Sequence, residues 1–158
     1  TTSKSYTKRT TKKRQKEKRM KVTILNRPMF STDFEEEWAY TTTNSVSWEI
    51  VGLEIANCNI YSTHDKCLGC VKNGILTIRA GYSFDGMTNY PDTAQNLTDA
   101  LLHDFLYQSH IVSRLNADRL LRASMTANKT PRKTLVFLGV RLFGWMCYGK
   151  ENVIIQKL

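Results

Sequence analysis

The chain has 158 residues, of which 41% are hydrophobic, and its formal net charge at pH 7 is +9. This length suits one globular domain that can bury a core without disulfide bonds. No apolar run approaches the ~20 residues of a transmembrane helix, so no such helix is expected. A signal peptide is not expected either, because no apolar segment follows the basic start of the chain.

The positive charge is concentrated at the start of the chain. Residues 1–21 hold ten basic residues and one acidic residue, and the 13 basic and 13 acidic residues of the remainder cancel. Without apolar periodicity, this basic arm is expected to be disordered until a partner orders it. It serves solubility, or it binds neighbouring subunits, nucleic acid or an anionic membrane. Its basic residues are Lys4, Lys8, Arg9, Lys12, Lys13, Arg14, Lys16, Lys18, Arg19 and Lys21.

Short extended segments are predicted between residues 22 and 78. Val46, Trp48 and Ile50 alternate with polar residues, and a second alternation runs over residues 76–80, which is the period of a half-buried strand. Further strands are expected over residues 35–43 and 53–60, with a turn at residues 73–74. Since strands precede helices, residues 22–158 are predicted to form a single α+β domain, with a small antiparallel sheet followed by about three helices.

Four cysteines raise the question of a metal site. Cys67 and Cys70 form a Cys-x-x-Cys pair with His64 three residues upstream, and Cys58 or Cys147 could supply a fourth ligand. These residue types suit a tetrahedral zinc site, although the second ligand pair that such sites usually have is missing. Ordinary buried thiols or a redox-sensitive pair are equally compatible with the pattern, and free thiols fit a reducing cytoplasm.

A turn-rich loop at residues 81–86 precedes the helices. Gly81 and Gly86 permit positive φ angles, so that backbone carbonyls can turn inward beside the Asp85 carboxylate. Carboxylate and carbonyl oxygens are the ligands of hard cations, and calcium is the candidate cofactor here. The alternative is an Asx-turn in which Asp85 binds only its own backbone.

Two helices joined by a short break are predicted after this loop. The first carries His103 and Asp104 within an apolar run and is expected to begin with a capping box formed by Asp92 and Gln95. After the break at residues 108–110, a second helix places Asp118 on its apolar side. Helices joined this closely should run antiparallel, which brings Asp118 within reach of His103.

A carboxylate that orients a histidine is the arrangement that a general base requires. His103, Asp118 and Tyr107, which lies one helical turn after His103, are therefore candidate catalytic residues. Asp104 points about 100° away from His103 and can face Asp85, so these two carboxylates are the candidate calcium ligands. In the alternative interpretation, Asp118 pairs with an arginine, namely Arg114, Arg122 or Arg141, and His103 binds a backbone carbonyl.

A third helix is predicted over residues 135–148, after Pro131. It is apolar nearly all round, and Gly139 and Gly144 would permit close packing. With about 14 residues and an arginine at position 141, it is too short and too polar for a membrane span. We therefore expect a helix buried in the core.

Four ordered motifs carry a resemblance to a known family. They are the Gly-aromatic-x-x-Asp-Gly loop (81–86), the His-Asp-x-Leu-Tyr sequence (103–107), the Ser-Arg-x-x-Ala-Asp sequence (113–118) and the Val-Arg-Leu-Phe-Gly sequence (140–144). Their order over residues 75–148 resembles a family of small phage and prophage proteins classed as a domain of unknown function. The resemblance implies a viral or prophage origin and brings no activity.

A second resemblance covers the two helices alone. His103-Asp104-x-x-Tyr107 followed by Asp118 is similar to the catalytic helices of phospholipase A2, although the Gly-x-Gly calcium loop of that family is absent and the spacing to Asp118 is short. The resemblance implies that His103 activates water, that Asp104 binds calcium and that Asp118 orients His103. It also implies that Asp85 and loop carbonyls complete the calcium site and that Tyr107 braces the pair.

Two classes of function compete at this point. The favoured one is a noncatalytic virion protein, present in the host cytoplasm before assembly, whose arm contacts other virion proteins or a polyanion. The alternative is a calcium-dependent phospholipase A2-like hydrolase with His103 as its base. Nucleic-acid binding by the folded body is not expected, because the body has no net charge.

Overall fold

A computed structural model describes residues 19–32, 40–86, 93–148 and 152–158. It confirms the α+β class, since an antiparallel sheet precedes three helices. The described strands are β1 (Lys21–Ile24), β2 (Phe30–Thr32), β3 (Tyr40–Thr42), β4 (Val46–Val51), β5 (Cys58–Ser62), β6 (Cys67–Lys72), β7 (Ile75–Ile78), β8 (Ser83–Phe84) and β9 (Val153–Lys157). The helices are α1 (Ala94–Ser109), α2 (Arg114–Ala127) and α3 (Lys133–Phe143), and a 3-10 turn (Gly144–Met146) continues α3.

The larger sheet has six strands in the order β1-β4-β7-β6-β5-β9, with antiparallel neighbours. In β4, Val46, Trp48 and Ile50 are buried as predicted. On the opposite side of the sheet, the hydroxyls of Ser47 and Thr77 lie 2.9 Å apart. The alternation of apolar and polar residues along β4 therefore determines which side of the strand faces the core.

Several predicted strand boundaries were wrong. The strand placed over residues 53–60 begins at Cys58, and the alternation over residues 76–80 ends at Ile78, which leaves Ala80 exposed. Lys21, which the prediction assigned to the arm, pairs with Val51 in β1. Residues 1–18 and 33–39 lie outside the described residues. They include most of the arm and most of the strand predicted over residues 35–43.

The turn between β6 and β7 was predicted correctly. Asn73 and Gly74 have φ angles of 50° and 79°. This left-handed pair of residues is what a two-residue hairpin loop requires, because its twist matches that of the strands. The tight turn aligns β7 between β6 and β4.

The two predicted helices form an antiparallel pair, but α1 begins differently from the prediction. Thr93 is the N-cap, and its Oγ1 accepts a hydrogen bond from the Asn96 backbone N–H at 3.2 Å. The proposed capping box is therefore wrong about the cap, while Asp92 itself lies outside the described residues. At the other end of α1, the C-cap His110 adopts a left-handed conformation, and Ser113 is the N-cap of α2.

The core lies between α1 and the six-stranded sheet. Phe105 of α1 is buried and packs against Gly69 of β6, where an added Cβ would stand 2.8 Å from the Phe105 ring. The Phe105 ring also contacts Tyr82 edge-on, with centroids 5.2 Å apart. This packing fixes α1 on the sheet. His103 and Tyr107, two residues before and two residues after Phe105, lie on the side of α1 that faces α2.

The prediction of a core helix over residues 135–148 was wrong. None of the residues of α3 or of the 3-10 turn is fully buried, and Leu142 and Trp145 are each 67% exposed. The helix contacts α2 along one edge, where the Arg122 guanidinium lies 5.3 Å from the centre of the Phe137 ring. No helix within the described ranges is long and apolar enough to cross a bilayer.

Candidate active site

Three predicted catalytic residues meet between α1 and α2. His103 Nε2 and Asp118 Oδ1 lie 2.9 Å apart, and the Tyr107 hydroxyl donates to the same carboxylate oxygen at 2.5 Å. His103 and Tyr107 lie one turn apart on α1, so their rings are in contact, with centroids 4.0 Å apart and the ring planes tilted by 44°. The short connection at residues 110–113 makes the contact possible, because it returns α2 along α1.

Asp118 has no exposed surface and accepts a third hydrogen bond, from Arg141 Nη1 to Oδ2 at 2.7 Å. Burial alone would raise the pKa of Asp118. The hydrogen bonds from His103, Tyr107 and Arg141 outweigh burial, and they hold the pKa below its usual value of 3.8. Asp118 is therefore a carboxylate whose charge is satisfied by donors from two other helices, α1 and α3.

Arg141 is the arginine that pairs with Asp118. Of the other two candidates, Arg122 stacks on Phe137, and Arg114 Nη2 donates to the Arg141 carbonyl at 3.3 Å. Arg141 lies on α3, so the ion pair ties this helix to the α1–α2 pair. Both predicted pairings of Asp118, with a histidine and with an arginine, are present together.

Tyr107 is enclosed by groups that the sequence did not identify as part of the site. Its ring contacts that of Tyr148 edge-on at 5.2 Å, and its hydroxyl lies against Gly144, where an added Cβ would overlap it. Burial, followed by the hydrogen bond to Asp118, raises the pKa of Tyr107 well above its usual value. Gly144 therefore permits close packing as predicted, whereas a Cβ at Gly139 would meet open space.

The second ring nitrogen of His103 faces Asp104. The distance from Nδ1 to Asp104 Oδ1 is 3.9 Å, and the exposed fractions of the two side chains are 8% and 33%. Burial, and then the negative charge of Asp85, raise the pKa of Asp104 to about 8. The predicted neighbours Asp85 and Asp104 are thus close enough for one carboxylate to disfavour ionisation of the other.

The predicted zinc site is not formed. Cys58 pairs with Val71, so Cys58 and Cys70 project from opposite sides of the sheet. His64 is exposed in the following turn, Cys67 Sγ contacts the Gly69 carbonyl at 3.7 Å, and all four cysteines of the chain are free thiols. Cys147, the alternative ligand, is exposed next to the 3-10 turn.

Across the described part of the chain, no three His, Cys, Asp or Glu side chains form a group that could hold a metal ion. Asp85 and Asp104 bring two carboxylates to the predicted calcium position. Gly81 and Gly86 have the predicted positive φ angles, 84° and 80°. Calcium binding through these carboxylates and loop carbonyls stays a prediction.

Another buried carboxylate was missed by the sequence interpretation. Asp99 accepts hydrogen bonds from Ser124 at 2.6 Å and from Asn128 and Thr130 at 2.7 Å each. Burial outweighs these bonds and raises the pKa of Asp99. The signal was available, since Asp99 also interrupts an apolar run, but its hydroxyl and amide donors come from residues 25 to 31 positions away.

The basic residues of the arm fall mostly outside the described residues. Arg19 and Lys21 are described, and both are exposed. Lys21 begins β1, which is an edge strand of the six-stranded sheet, and Arg19 precedes it.

Comparison with known families supports the coarser part of the first resemblance, a domain of unknown function. Residues 70–140 match a family model described as a protein of unknown function (DUF1353). This span includes the loop at residues 81–86, both helices of the site and most of α3. No curated protein and no solved structure matches the chain. The family description assigns no activity, so any function must be argued from the site itself.

Proposed function

We propose that this chain is a hydrolase of carboxylic esters in phospholipids, with His103 as the general base. The observation that carries the proposal is the contact between His103 Nε2 and the buried Asp118 Oδ1 at 2.9 Å. A carboxylate at this nitrogen favours the tautomer with a proton on Nε2. Nδ1 is then the nitrogen with a free lone pair, on the side of Asp104.

The reaction follows from this tautomer. Nδ1 accepts a proton from water, and the oxygen of that water attacks the ester carbonyl carbon. When the tetrahedral intermediate collapses, the bond to the alcohol breaks and the imidazolium returns the proton to the departing oxygen. Water and ester thus give a carboxylic acid and an alcohol. Asp118 stabilises the transient positive charge on His103, and Tyr107 holds Asp118 in place.

Calcium is the cation that the resemblance to phospholipase A2 implies. Asp85 and Asp104 offer the hard oxygen ligands that calcium prefers. Burial is the main cause of the raised pKa of Asp104, and a bound cation would offset the smaller contribution from the charge of Asp85. The ion would polarise the ester carbonyl when bound. Phospholipid as the substrate also rests on this resemblance.

The proposal is tested by fatty-acid release from phosphatidylglycerol vesicles with calcium present. His103→Ala should lower the rate at least about 100-fold, which is the usual contribution of a general base. His64→Ala is the matched control, because His64 is exposed in a turn away from the helices. Equal rates for His103→Ala and the native chain would contradict the assignment, and activity that persists in a chelator would exclude the calcium role.

A second candidate is a noncatalytic virion protein of phage origin. The observation that favours it is the full satisfaction of Asp118, whose donors lock three helices together as a structural cluster would. The arm would then contact neighbouring virion proteins or a polyanion. This candidate predicts that the chain is found in purified virions and that no ester is hydrolysed. Its absence from virions, with hydrolysis lost in His103→Ala, would exclude it.

A further inference from the structure

The outward side of α3 and the 3-10 turn exposes a group of large apolar side chains. We call them the α3 apolar surface. Its members are Leu135, Leu138, Leu142, Phe143, Trp145 and Met146. Each is between 45% and 67% exposed.

These side chains form one continuous surface. Leu135, Leu138 and Leu142 have spacings of three and four residues, so they lie on the same side of α3. Phe143 ends α3, and Trp145 and Met146 lie in the 3-10 turn that follows it; all three are exposed. Monomeric proteins seldom leave such a contiguous apolar patch in water, and patches of this kind usually mark a contact with a partner or a membrane.

The chain segment that carries the α3 apolar surface, together with the preceding helix α2, is strongly basic. Residues 111–148 contain seven basic residues and one acidic residue, and that residue, Asp118, is buried. Arg119, Arg122, Lys129 and Arg132 are exposed. The remaining basic residues of this segment are Arg114, Lys133 and Arg141. An occupant of the surface must therefore be apolar inside and anionic at its edge.

Three other occupants fit these two features less well. In a dimer of this chain through α3, the basic residues of both copies would approach and repel each other. Nucleic acid would match the charge but would offer nothing apolar to the leucines. Residues 1–18 contain eight basic residues, and Tyr6 is their only hydrophobic residue, so this segment is neither apolar nor anionic.

We propose that the α3 apolar surface docks onto an anionic lipid bilayer. The apolar side chains would enter the boundary between headgroups and acyl chains, while the neighbouring arginines and lysines would bind the anionic headgroups. Trp145 and Phe143 suit this position, because aromatic side chains favour the membrane interface.

Docking would also place the bilayer beside the candidate active site. Arg141 of the same helix binds Asp118, and Gly144 packs on the Tyr107 hydroxyl. The phospholipid substrate would thus be held next to α1 and α2. This connection with catalysis rests on the proposed function, whereas the docking does not.

Co-flotation of the full chain with vesicles tests the docking. One vesicle preparation is pure phosphatidylcholine, and the other contains equal parts of phosphatidylcholine and phosphatidylglycerol. The test variant combines Leu138→Gln with Leu142→Gln, at positions that are 51% and 67% exposed. The control combines Ile154→Gln with Leu158→Gln, at positions that are 50% and 64% exposed but lie in and after β9.

We expect the native chain and the control to float with the anionic vesicles, and the test variant to partition at least about tenfold more weakly. Equal partitioning of the two variants would overturn the proposal. Loss of self-association in the test variant, with unchanged flotation, would identify a second copy as the occupant and overturn it too.

The basic arm is also expected to attract anionic lipid, so a second measurement tests the contact between α3 and the bilayer directly. Brominated phospholipid should quench the part of the tryptophan fluorescence that is lost in Trp145→Phe. If vesicle-bound chain showed no such quenching, the proposal would be wrong. His103→Ala should float like the native chain, so a failure of catalysis and a failure of docking are distinguishable.

Discussion

At the scale of single residues, the carboxylate of Asp118 connects most of the polar side chains of the site, because His103, Tyr107 and Arg141 all bind it. A buried charge is costly unless partners replace its lost hydration. Asp118 has three such partners, and one of them, Arg141, is a cation with 31% of its side chain exposed. The ion pair offsets the charge of Asp118, while Tyr107 and His103 complete its hydrogen bonds. The same contacts therefore stabilise the fold and orient the proposed base.

Asp118→Asn should lower the free energy of unfolding by about 3 kcal/mol, because it leaves Arg141 without its counter-charge in a partly buried place. Urea denaturation at neutral pH measures the change. Asp65→Asn is the control, since Asp65 is exposed in a turn. A loss no larger than that of the control would show that Asp118 does not hold the helices together.

Asp104→Asn should change the dependence of stability on pH. The pKa of Asp104 is raised in the folded chain from 3.8 to about 8, so the folded state binds the proton more tightly than the unfolded state does. The carboxyl therefore reduces stability as the pH rises from about 4 to about 8. The gain in unfolding free energy from Asp104→Asn should grow through this window and then level off.

Asp118 provides a control of opposite sign for this pH experiment. Its pKa is lowered in the folded chain, so its contribution to stability is present above pH 3.8 and is lost as the pH falls further. The stability difference between the native chain and Asp118→Asn should shrink in acid. A difference for Asp104→Asn that is independent of pH would show that its pKa is not raised.

At the scale of elements, side-chain interactions with α1 and α2 hold α3 and the 3-10 turn along their inward edge. Arg141 reaches Asp118, Phe137 packs under Arg122, and Gly144 meets Tyr107. The packing of Gly144 on the hydroxyl leaves no space for a side chain. The position of the helix, and hence of Arg141, depends on the absence of a Cβ at this residue.

Gly144→Ala should cost about 1–3 kcal/mol of unfolding free energy, because the new methyl group overlaps the Tyr107 hydroxyl and must displace it. Gly139→Ala, five residues earlier in α3, is the matched control, because a Cβ there meets nothing within 4 Å. This control should be neutral or stabilising by up to ~1 kcal/mol, since alanine favours a helix. Equal effects of the two substitutions on chemical denaturation would contradict the packing.

At the scale of the whole molecule, charge is distributed unevenly in two places. The basic arm holds an excess of +9. Residues 22–158 have no net charge, although the segment of residues 111–148, which carries α3, is basic. Positive charge is therefore concentrated in two places, which differ in apolar content. The arm offers charge alone, whereas α3 combines charge with apolar surface.

Deletion of residues 1–18 should weaken binding to a DNA duplex and reduce the dependence of the affinity on salt. For every phosphate that the shortened chain no longer neutralises, the slope of log affinity against log salt should become shallower by about 0.9. Fluorescence anisotropy over a range of salt concentrations measures the slope. The thermal unfolding midpoint should stay unchanged, and a lowered midpoint would show that the deleted residues contribute to the folded body.

The sequence by itself determined the α+β class, the core side of β4, the turn at residues 73–74 and the antiparallel helical pair. These features depend on local periodicity and turn chemistry, which a single chain displays directly. The contact between His103 and Asp118 was also predictable, because a short connection between two helices leaves few arrangements.

Only the tertiary structure decided that α3 lies on the surface and not in the core. Its apolar residues indicated a core helix, yet hydrophobicity alone does not say whether the chain itself or something outside it covers a helix. The pairing of Asp118 with Arg141 and the packing of Gly144 on Tyr107 join residues 23 and 37 positions apart. The separation of Cys58 from Cys70 likewise depends on strand register, because neighbours along a strand face opposite sides of the sheet. Such contacts depend on how the elements are placed in space, which periodicity along the chain does not specify.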